Sequence, residues 1–236
     1  MFGLSSKPIT LMFSTPLLIP ILIIFGCAFL VMGSCIALYE TKSDLRIHPQ
    51  KKRKLEGAAL YVRVGLNGAF STSIILAFVF LFEGALVSHE ASSLGRAALE
   101  GLGILVLYDF LYYFMHRYPF HRWGWFKRVH AVHHRAKTPS AIDSLFLHPF
   151  ENFAGLALLM LCVMIVGPVH PYAFIAALFV HAMLNIIVHM GIASDRFPFR
   201  YFSLLARNHD KHHSSMRAGN YASLTPIPDK LFGTAE

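Results

Sequence analysis

Residues 17–39 read LLIPILIIFGCAFLVMGSCIALY, a run of 23 residues without a charged side chain. A helix of this length spans the hydrocarbon core of a bilayer, which is about 30 Å thick. The segment before it carries one positive charge, Lys7, and the run is longer than the apolar part of a typical signal peptide. We therefore expect an uncleaved membrane anchor.

Four further apolar runs follow this anchor. The second run extends from Leu66 to Val87 and the third from Ala97 to Met115. Two shorter runs, Phe153 to Val166 and Tyr172 to Val188, are marginal in length for a full crossing. The sequence therefore predicts an all-α integral membrane protein with about four transmembrane helices, the last two of which either cross or form a hairpin.

Composition and charge agree with this fold class. Of the 236 residues, 55% are hydrophobic and 14% are charged, against roughly 25% charged in ordinary soluble domains. This balance excludes a disordered chain and, despite a net charge of +8, argues against nucleic acid as a partner. Nineteen of the 21 basic residues lie in the segments 42–63, 117–137 and 196–230. Because basic loops stay cytoplasmic, we predict that all three segments share that face. The run Lys51-Lys52-Arg53-Lys54 then serves as a topology signal and a contact for anionic lipid.

The chain contains 14 histidines, and eight of them form ordered boxes. One HX4H box and two HX2HH boxes occur, at His116 and His121, at His130, His133 and His134, and at His209, His212 and His213. Positions i, i+3 and i+4 of a helix share a face, so each HX2HH box can direct three imidazoles into one volume.

Bound metal explains this crowding of imidazoles. Cationic rings would repel each other, and neutral, unpaired rings in a buried site would leave many polar nitrogens unsatisfied. Imidazole is a ligand for iron, copper and zinc, and eight imidazoles exceed what one ion accepts. A lone histidine is usually a surface or core residue, but that reading does not explain three boxes on one face. We therefore predict two ions.

The boxes and their surroundings resemble the fatty acid hydroxylase and sterol desaturase superfamily of membrane di-iron enzymes. The resemblance rests on YDFLYYFMHR at residues 108–117, HAVHH at 130–134, HPFE at 148–151, HDKHH at 209–213 and GNYAS at 219–223. It covers roughly residues 97–236. We accordingly expect N-terminal anchor helices in residues 1–96 and a catalytic domain in residues 97–236.

The resemblance implies metal ligation by all eight box histidines and by His189, at the end of the last apolar run. Some members carry another histidine four residues earlier, where this chain has Asn185. Asn185 is then a hydrogen-bonding group beside the metals or a weak ligand. His181 lies on the same helical face and is a further candidate ligand, with a supporting or purely buried role as the alternatives. For His148, we prefer a structural role near the site over ligation.

Asp109 lies seven residues before His116 and therefore on the same helical face. A buried carboxylate there would fix the tautomer of the imidazole and increase its basicity. The alternative is a packing residue paired with an arginine. Asn220 and Tyr221 are expected to close the polar domain over the histidines.

The resemblance implies an enzyme in which two iron ions use O2 and external electrons to hydroxylate or desaturate a C–H bond of a membrane lipid. Zinc can replace iron in the purified protein. The lipid, a fatty acyl chain or a sterol, is expected to come from the bilayer through a channel among the third span and the hairpin helices. A sequence of 236 residues is expected to leave no room for a fused electron carrier beside the membrane helices. We therefore expect a separate donor, either cytochrome b5-like or a ferredoxin with its reductase.

Two other functions remain open at this stage. A histidine-rich metal transporter or storage protein would also gather imidazoles, although transport favours ligands along several spans. A di-zinc hydrolase is the third possibility, although zinc usually takes three or four protein ligands. The C-terminal residues GTAE carry no endoplasmic reticulum retrieval signal, which favours a bacterial inner membrane over that compartment, with the active site on the cytoplasmic face.

Overall fold

The computed structural model of the chain describes residues 16–49, 57–90 and 92–236. Within these ranges the regular structure is helical and contains no β-strand. The α-helices are α1 (Leu18–Thr41), α2 (Ala58–Leu86), α3 (Leu94–Met115), α4 (Gly124–His130), α5 (Pro149–Val166), α6 (Pro171–Ile187), α7 (Arg200–Ser214) and α8 (Ile227–Leu231).

Among the described residues, four helices are long and apolar enough to cross a membrane: α1, α2, α3 with the turn that continues it to Phe120, and α5. The prediction of an all-α chain with about four such helices is confirmed. Helix α2 begins at Ala58, well before the apolar run at Leu66. These first turns contain one charged residue, Arg63, whose guanidinium lies 4.8 Å from the ring centre of Phe146. Helix α6 has 17 residues, about 26 Å at 1.5 Å per residue.

Helices α5 and α6 follow one another across a short turn and begin in the same way. In each helix a histidine, His148 or His170, caps the amino end, and its Nδ1 accepts a hydrogen bond from the backbone N–H two residues later. A proline follows each histidine at the first helical position, where its missing N–H costs nothing. Gly167, at φ 110°, ends α5 in a conformation that favours glycine. Helix α3 packs against both α5 and α6, while α1 packs on α6 and α2 on α5.

Backbone contacts between loops define the two ends of this bundle. At one end Arg46 pairs with Ile192, so the segment after α1 lies beside the segment after α6. At the other end Val87 pairs with Val169, which joins the end of α2 to the α5–α6 turn. The described parts of all three basic segments therefore lie at the first end. Lys7 and residues 51–54, which also entered the charge argument, fall outside the described residues.

Two apolar cores hold the helices together. The larger one occupies the middle of the bundle and includes the fully buried Ile75, Ile104 and Met160. The smaller one lies at the end that carries the basic segments, where Tyr39 and Ala206 join α1 to α7. Because α1 and α2 pack directly on α6 and α5, the predicted boundary between residues 96 and 97 is not marked by a gap in packing, and it stays a prediction.

Candidate metal centre

Nine histidines gather at the end of the bundle where α3 and α6 finish. His116 follows α3 directly and starts a π-helical turn, His116–Phe120. Such a turn is wider than an α-helical one, so His116 and His121, five residues apart, remain on one side. His130 ends α4, His133 and His134 lie in the 3-10 turn after it, and His189 follows α6. Helix α7 carries the last box.

The nine imidazoles form two adjacent clusters, and within each cluster one nitrogen per ring lies within 4.8 Å of the others. The first, called the five-histidine cluster, contains His116, His121, His130, His134 and His212. The second, called the four-histidine cluster, contains His133, His189, His209 and His213. All are buried except His209, which is half-buried. The rings of His134 and His213 stack at 4.8 Å between centroids and join the clusters.

The clusters divide both HX2HH boxes, contrary to the expectation that each box serves one volume. In each box the first and last histidines share one cluster, and the middle one, His133 or His212, belongs to the other. On α7 the cause is helical geometry, because successive residues are about 100° apart around the axis. His212 and His213 therefore point to different sides, whereas His209 lies one turn below His213.

Backbone carbonyls fix the orientation of most of these rings. In the five-histidine cluster the Nδ1 atoms of His116, His121 and His212 lie 2.7, 2.9 and 2.7 Å from carbonyl oxygens. The acceptors belong to Tyr221, Met216 and Gly219, all in the segment after α7. A carbonyl only accepts hydrogen bonds, so each of these rings carries its proton on Nδ1.

The four-histidine cluster is anchored in the same way. The Nδ1 atoms of His133, His189 and His213 donate to the carbonyls of Phe146, Asn185 and Ala136, at 3.1, 2.7 and 2.8 Å. Each neutral ring thus presents an unprotonated Nε2. His134 of the other cluster differs, since its buried Nδ1 has no hydrogen-bond partner among the described residues.

The unprotonated nitrogens face each other. The Nε2 atoms of His116 and His121 are 3.3 Å apart, and those of His133 and His189 are 3.0 Å apart. Neither atom of such a pair has a proton to share, so the pairs are repulsive rather than hydrogen-bonded. Protonation does not relieve the repulsion, because burial lowers the pKa of His121 and His133 to about 4 and that of His189 to about 3.

A metal ion in each cluster fits this donor set. Imidazole nitrogens bind zinc at about 2.0–2.1 Å, so neighbouring ligands of one such ion are about 3.0–3.4 Å apart. The facing Nε2 atoms are separated by 2.8–3.3 Å. The structure thus provides neutral imidazoles with free lone pairs at the separation that a shared cation requires.

Glu151 supplies a carboxylate that contacts a ring of the five-histidine cluster. Its Oε1 lies 2.6 Å from Nδ1 of His130, and both side chains are buried. A carboxylate in this position fixes the tautomer and raises ligand basicity. Glu151 was not among the predicted site residues, although it is the last residue of the HPFE motif. Glu151 lies three residues after His148, in the first turn of α5, and faces α4.

The role predicted for Asp109 is corrected by the structure. Its carboxylate does not contact His116 but accepts hydrogen bonds from the backbone N–H groups of Ser223, Leu224 and Thr225 and from the Thr225 hydroxyl. Helical spacing placed Asp109 on the correct face, but two turns from His116 it reaches the C-terminal segment first. Asp109 therefore acts indirectly, by holding the segment whose carbonyls orient the rings.

The other candidates are also placed. His181 joins neither cluster, because its Nε2 lies 3.0 Å from the hydroxyl of Tyr108 in the middle of the bundle. Asn185 contributes its backbone carbonyl to His189 and lines a cavity. His148 caps α5, in keeping with a structural role. The expectation for Asn220 and Tyr221 agrees with the geometry, since the Tyr221 ring centre lies 5.0 Å from that of His121.

His48 lies closer to the site than its isolation in the sequence suggests. Its Nε2 is 2.7 Å from Oδ2 of Asp210, inside the last histidine box. His89 lies at the opposite end of the bundle, 3.6 Å from Glu83. His89, and not His48, is therefore the suitable control for substitutions in the clusters.

A cavity extends from the clusters into the bundle. His116, His130, His133, His189 and His209 line its polar end. Its walls come from α3, α5 and α6, where a channel was expected, and also from α1 and α2. Apolar residues such as Phe25, Met32, Leu156 and Leu178 line much of it. The geometry therefore connects the two histidine clusters to a largely apolar space inside the helix bundle.

Comparison with known proteins agrees with this arrangement. The sequence model of the family described as fatty acid hydroxylase matches residues 101–234. A methylsterol monooxygenase of Rattus norvegicus is 33% identical over 142 residues, which are 56% of this chain and 45% of the relative. A very-long-chain aldehyde decarbonylase of Oryza sativa subsp. indica is 34% identical over 138 residues, covering 55% and 49%. A second methylsterol monooxygenase, from Arabidopsis thaliana, is 30% identical over 177 residues, covering 66% and 62%.

The chain spans about half the length of the first two relatives. No solved structure matches it.

Replacement of one central ligand in each cluster should remove one ion. We expect His133→Ala to empty the four-histidine cluster and His212→Ala the five-histidine cluster, because each loses a lone pair from a closed donor set. The metal bound per chain, measured by elemental analysis of purified protein, should fall to about half in each variant. His89→Ala should keep the full content. Unchanged metal in both cluster variants would contradict the two-site arrangement.

The Glu151 carboxylate, which contacts His130, should affect metal affinity without binding a metal ion itself. Glu151→Leu leaves the His130 Nδ1 without its partner, and loss of such a supporting contact typically lowers metal affinity or activity by about 10–100-fold. Glu151→Gln retains an acceptor but not the charge, so it should fall between. Competition with chelators of graded strength measures the affinity, and Glu100→Gln, at the far end of the bundle, is the control. Equal metal retention in all four proteins would refute this role.

Proposed function

The chain belongs to the fatty acid hydroxylase family, and from that premise we propose that it is a membrane-bound di-iron oxygenase that hydroxylates or desaturates a C–H bond of a lipid. The observation that carries the proposal is the pair of buried clusters of unprotonated imidazole nitrogens at the end of an apolar cavity. A structural zinc site has about four protein ligands, so nine imidazoles exceed what one such site needs. The cavity offers an apolar substrate direct access to these imidazoles.

The five-histidine cluster would hold one iron ion and the four-histidine cluster the other, with zinc as a substitute in purified protein. When bound, the two ions supply the reduction of O2 and the oxidising power that attack on an unactivated C–H bond requires. The chain itself keeps the ligands neutral through burial and through the Nδ1–H contacts to carbonyls. The walls of the cavity exclude water from the reacting region.

The proposed substrate is a membrane lipid. Relatives of this chain are named for methylsterols and for very-long-chain aldehydes, and both are apolar molecules that carry oxygen. Phe29 of α1 supports access from the side of the bundle, because it lines the cavity and is also 46% exposed on the outer surface. Its ring lies against Gly68 of α2, where an added Cβ would be 2.9 Å from Cζ. We place lipid access between these two helices.

We further propose that the metal centre lies on the cytoplasmic side. The described basic residues after α1, after α3 and after α6 share the end of the bundle that carries both clusters, and basic segments are retained in the cytoplasm. The same charge suits an acidic electron donor that binds as a separate protein. A bacterial inner membrane is our preferred location.

Two other functions account less well for the geometry. A transporter needs ligands along its path, but both groups of metal-binding side chains in the described residues lie at one end. A di-zinc hydrolase needs fewer than nine imidazoles, since catalytic zinc usually has three protein ligands. Measurement of product formation separates these functions.

The oxygenase proposal predicts that lipid oxidation requires iron, O2 and a reductant together. Iron-loaded protein in lipid nanodiscs should yield a lipid that has gained one oxygen or lost two hydrogens, detected by untargeted mass spectrometry. The double variant His133→Ala/His212→Ala should yield neither. If protein with full iron, O2 and electrons oxidises no lipid, the metal site stands and the oxygenase assignment is wrong. Lipid cleavage with addition of water, in the absence of O2 and reductant, would indicate hydrolysis instead.

The orientation predicts the accessibility of the loop between α4 and α5. A cysteine introduced at Thr138, in a background lacking Cys27, Cys35 and Cys162, should react with a membrane-impermeant maleimide only after the cells are opened. A cysteine introduced at Ser88, at the other end of the bundle, should react in intact cells and serves as the matched control. Labelling of position 138 from outside intact cells would refute the cytoplasmic site.

A further inference from the structure

Two polar side chains meet in the middle of the bundle, away from the metal clusters. The hydroxyl of Tyr108 on α3 lies 3.0 Å from Nε2 of His181 on α6, and the two rings are perpendicular with centroids 4.9 Å apart. Both residues line the cavity. Ionisable residues at this depth in a membrane protein are costly, and they usually face an interior that uses them.

The pair is not saturated with hydrogen bonds. Nδ1 of His181 has no hydrogen-bond partner among the described residues, and Tyr108 contacts no polar group there except His181. Elsewhere in the cavity wall, Ser71 donates to the side chain of Asn152, and Asn152 donates to the backbone carbonyl of Asn67. The Tyr108–His181 pair thus retains a free hydrogen-bonding position toward the cavity.

The chemistry of the pair favours a hydroxyl group as its ligand. If Tyr108 donates to Nε2, then Nδ1 of His181 carries the proton and offers a donor. If Nε2 donates instead, Nδ1 becomes an acceptor and the tyrosine proton is free to donate. A hydroxyl both donates and accepts, so it satisfies either arrangement, whereas an alkane satisfies neither.

The Tyr108–His181 pair is separated from the histidine clusters by the same number of residues on both helices. Tyr108 lies eight residues before His116 on α3, and His181 lies eight residues before His189 on α6. Eight residues of α-helix span about 12 Å. The ring positions along α3 are consistent with this length. The ring centroids of Tyr108 and Tyr112 are 5.5 Å apart, and those of Tyr112 and His116 are 5.2 Å apart.

We propose that Tyr108 and His181 form a subsite that binds a hydroxyl oxygen of the lipid substrate about 12 Å from the metal clusters. The subsite selects lipids that carry an alcohol over hydrocarbons of the same shape. It also sets which carbon reacts, because fixing the position of the hydroxyl oxygen fixes which carbon of the lipid lies next to the clusters. The second statement rests on the proposed oxygenase function, but the first does not.

Binding without turnover tests the subsite itself. Purified protein in detergent should bind tritiated 1-hexadecanol more tightly than it binds hexadecane, measured by competition. Tyr108→Phe removes one hydrogen-bonding group and should weaken alcohol binding by about two- to twelvefold, leaving the affinity for hexadecane unchanged. Tyr172→Phe, at an exposed position on the same protein, should change neither. Equal affinity for alcohol and alkane in the unmodified protein would overturn the proposal.

A second pair of variants separates hydrogen bonding from packing. His181→Leu should lose the preference for the alcohol, whereas His181→Gln, which keeps a donor and an acceptor, should retain part of it. Equal loss of alcohol and alkane binding in both variants would show that the pair only supports the fold, and would overturn the subsite.

Products from alcohols of different chain length test the distance. We expect oxidation at a fixed number of carbons from the hydroxyl, whether the chain has 14, 16 or 18 carbons. Oxidation counted from the methyl end, or at the carbon beside the hydroxyl, would overturn the spacing. If alcohol binding is selective but no alcohol is oxidised, the subsite stands and the oxygenase assignment falls.

Discussion

The repulsion between facing, unprotonated imidazole nitrogens is the constraint on which the rest of this structure depends. Six ring protons are committed to backbone carbonyls, and burial opposes any additional proton. Only a cation between the Nε2 atoms turns the repulsion into attraction. Ligand geometry and fold are therefore coupled, since metal binding to such a site also stabilises the folded chain.

The segment after α7 fixes the orientation of several of these rings. It supplies the carbonyls for three rings of the five-histidine cluster, and two carboxylates hold it in place. Asp109 binds the backbone at Ser223 to Thr225, while Asp229 accepts from the N–H groups of Tyr221 and Ala222. Buried carboxylates that accept several hydrogen bonds form firm anchors. The acidic residues near the site thus build its frame and do not themselves ligate.

The helix bundle adjoining the clusters repeats one spacing on two helices. Helices α3 and α6 each end at a cluster and carry one member of the Tyr108–His181 pair at the same spacing. Residues of α1 and α2 line the outer sides of the cavity between α3 and α6. The N-terminal helices therefore take part in forming the cavity.

The sequence by itself determined the helices, the membrane character and the residues that converge, because hydropathy runs and histidine spacing report on positions along one helix. Nine of the ten predicted ligands lie in the two clusters. The tertiary structure alone decided which ring joins which cluster, that Glu151 rather than Asp109 contacts an imidazole, and that His181 pairs with Tyr108. These contacts join different helices, and a periodic pattern within one helix contains no information about the distance to its neighbour.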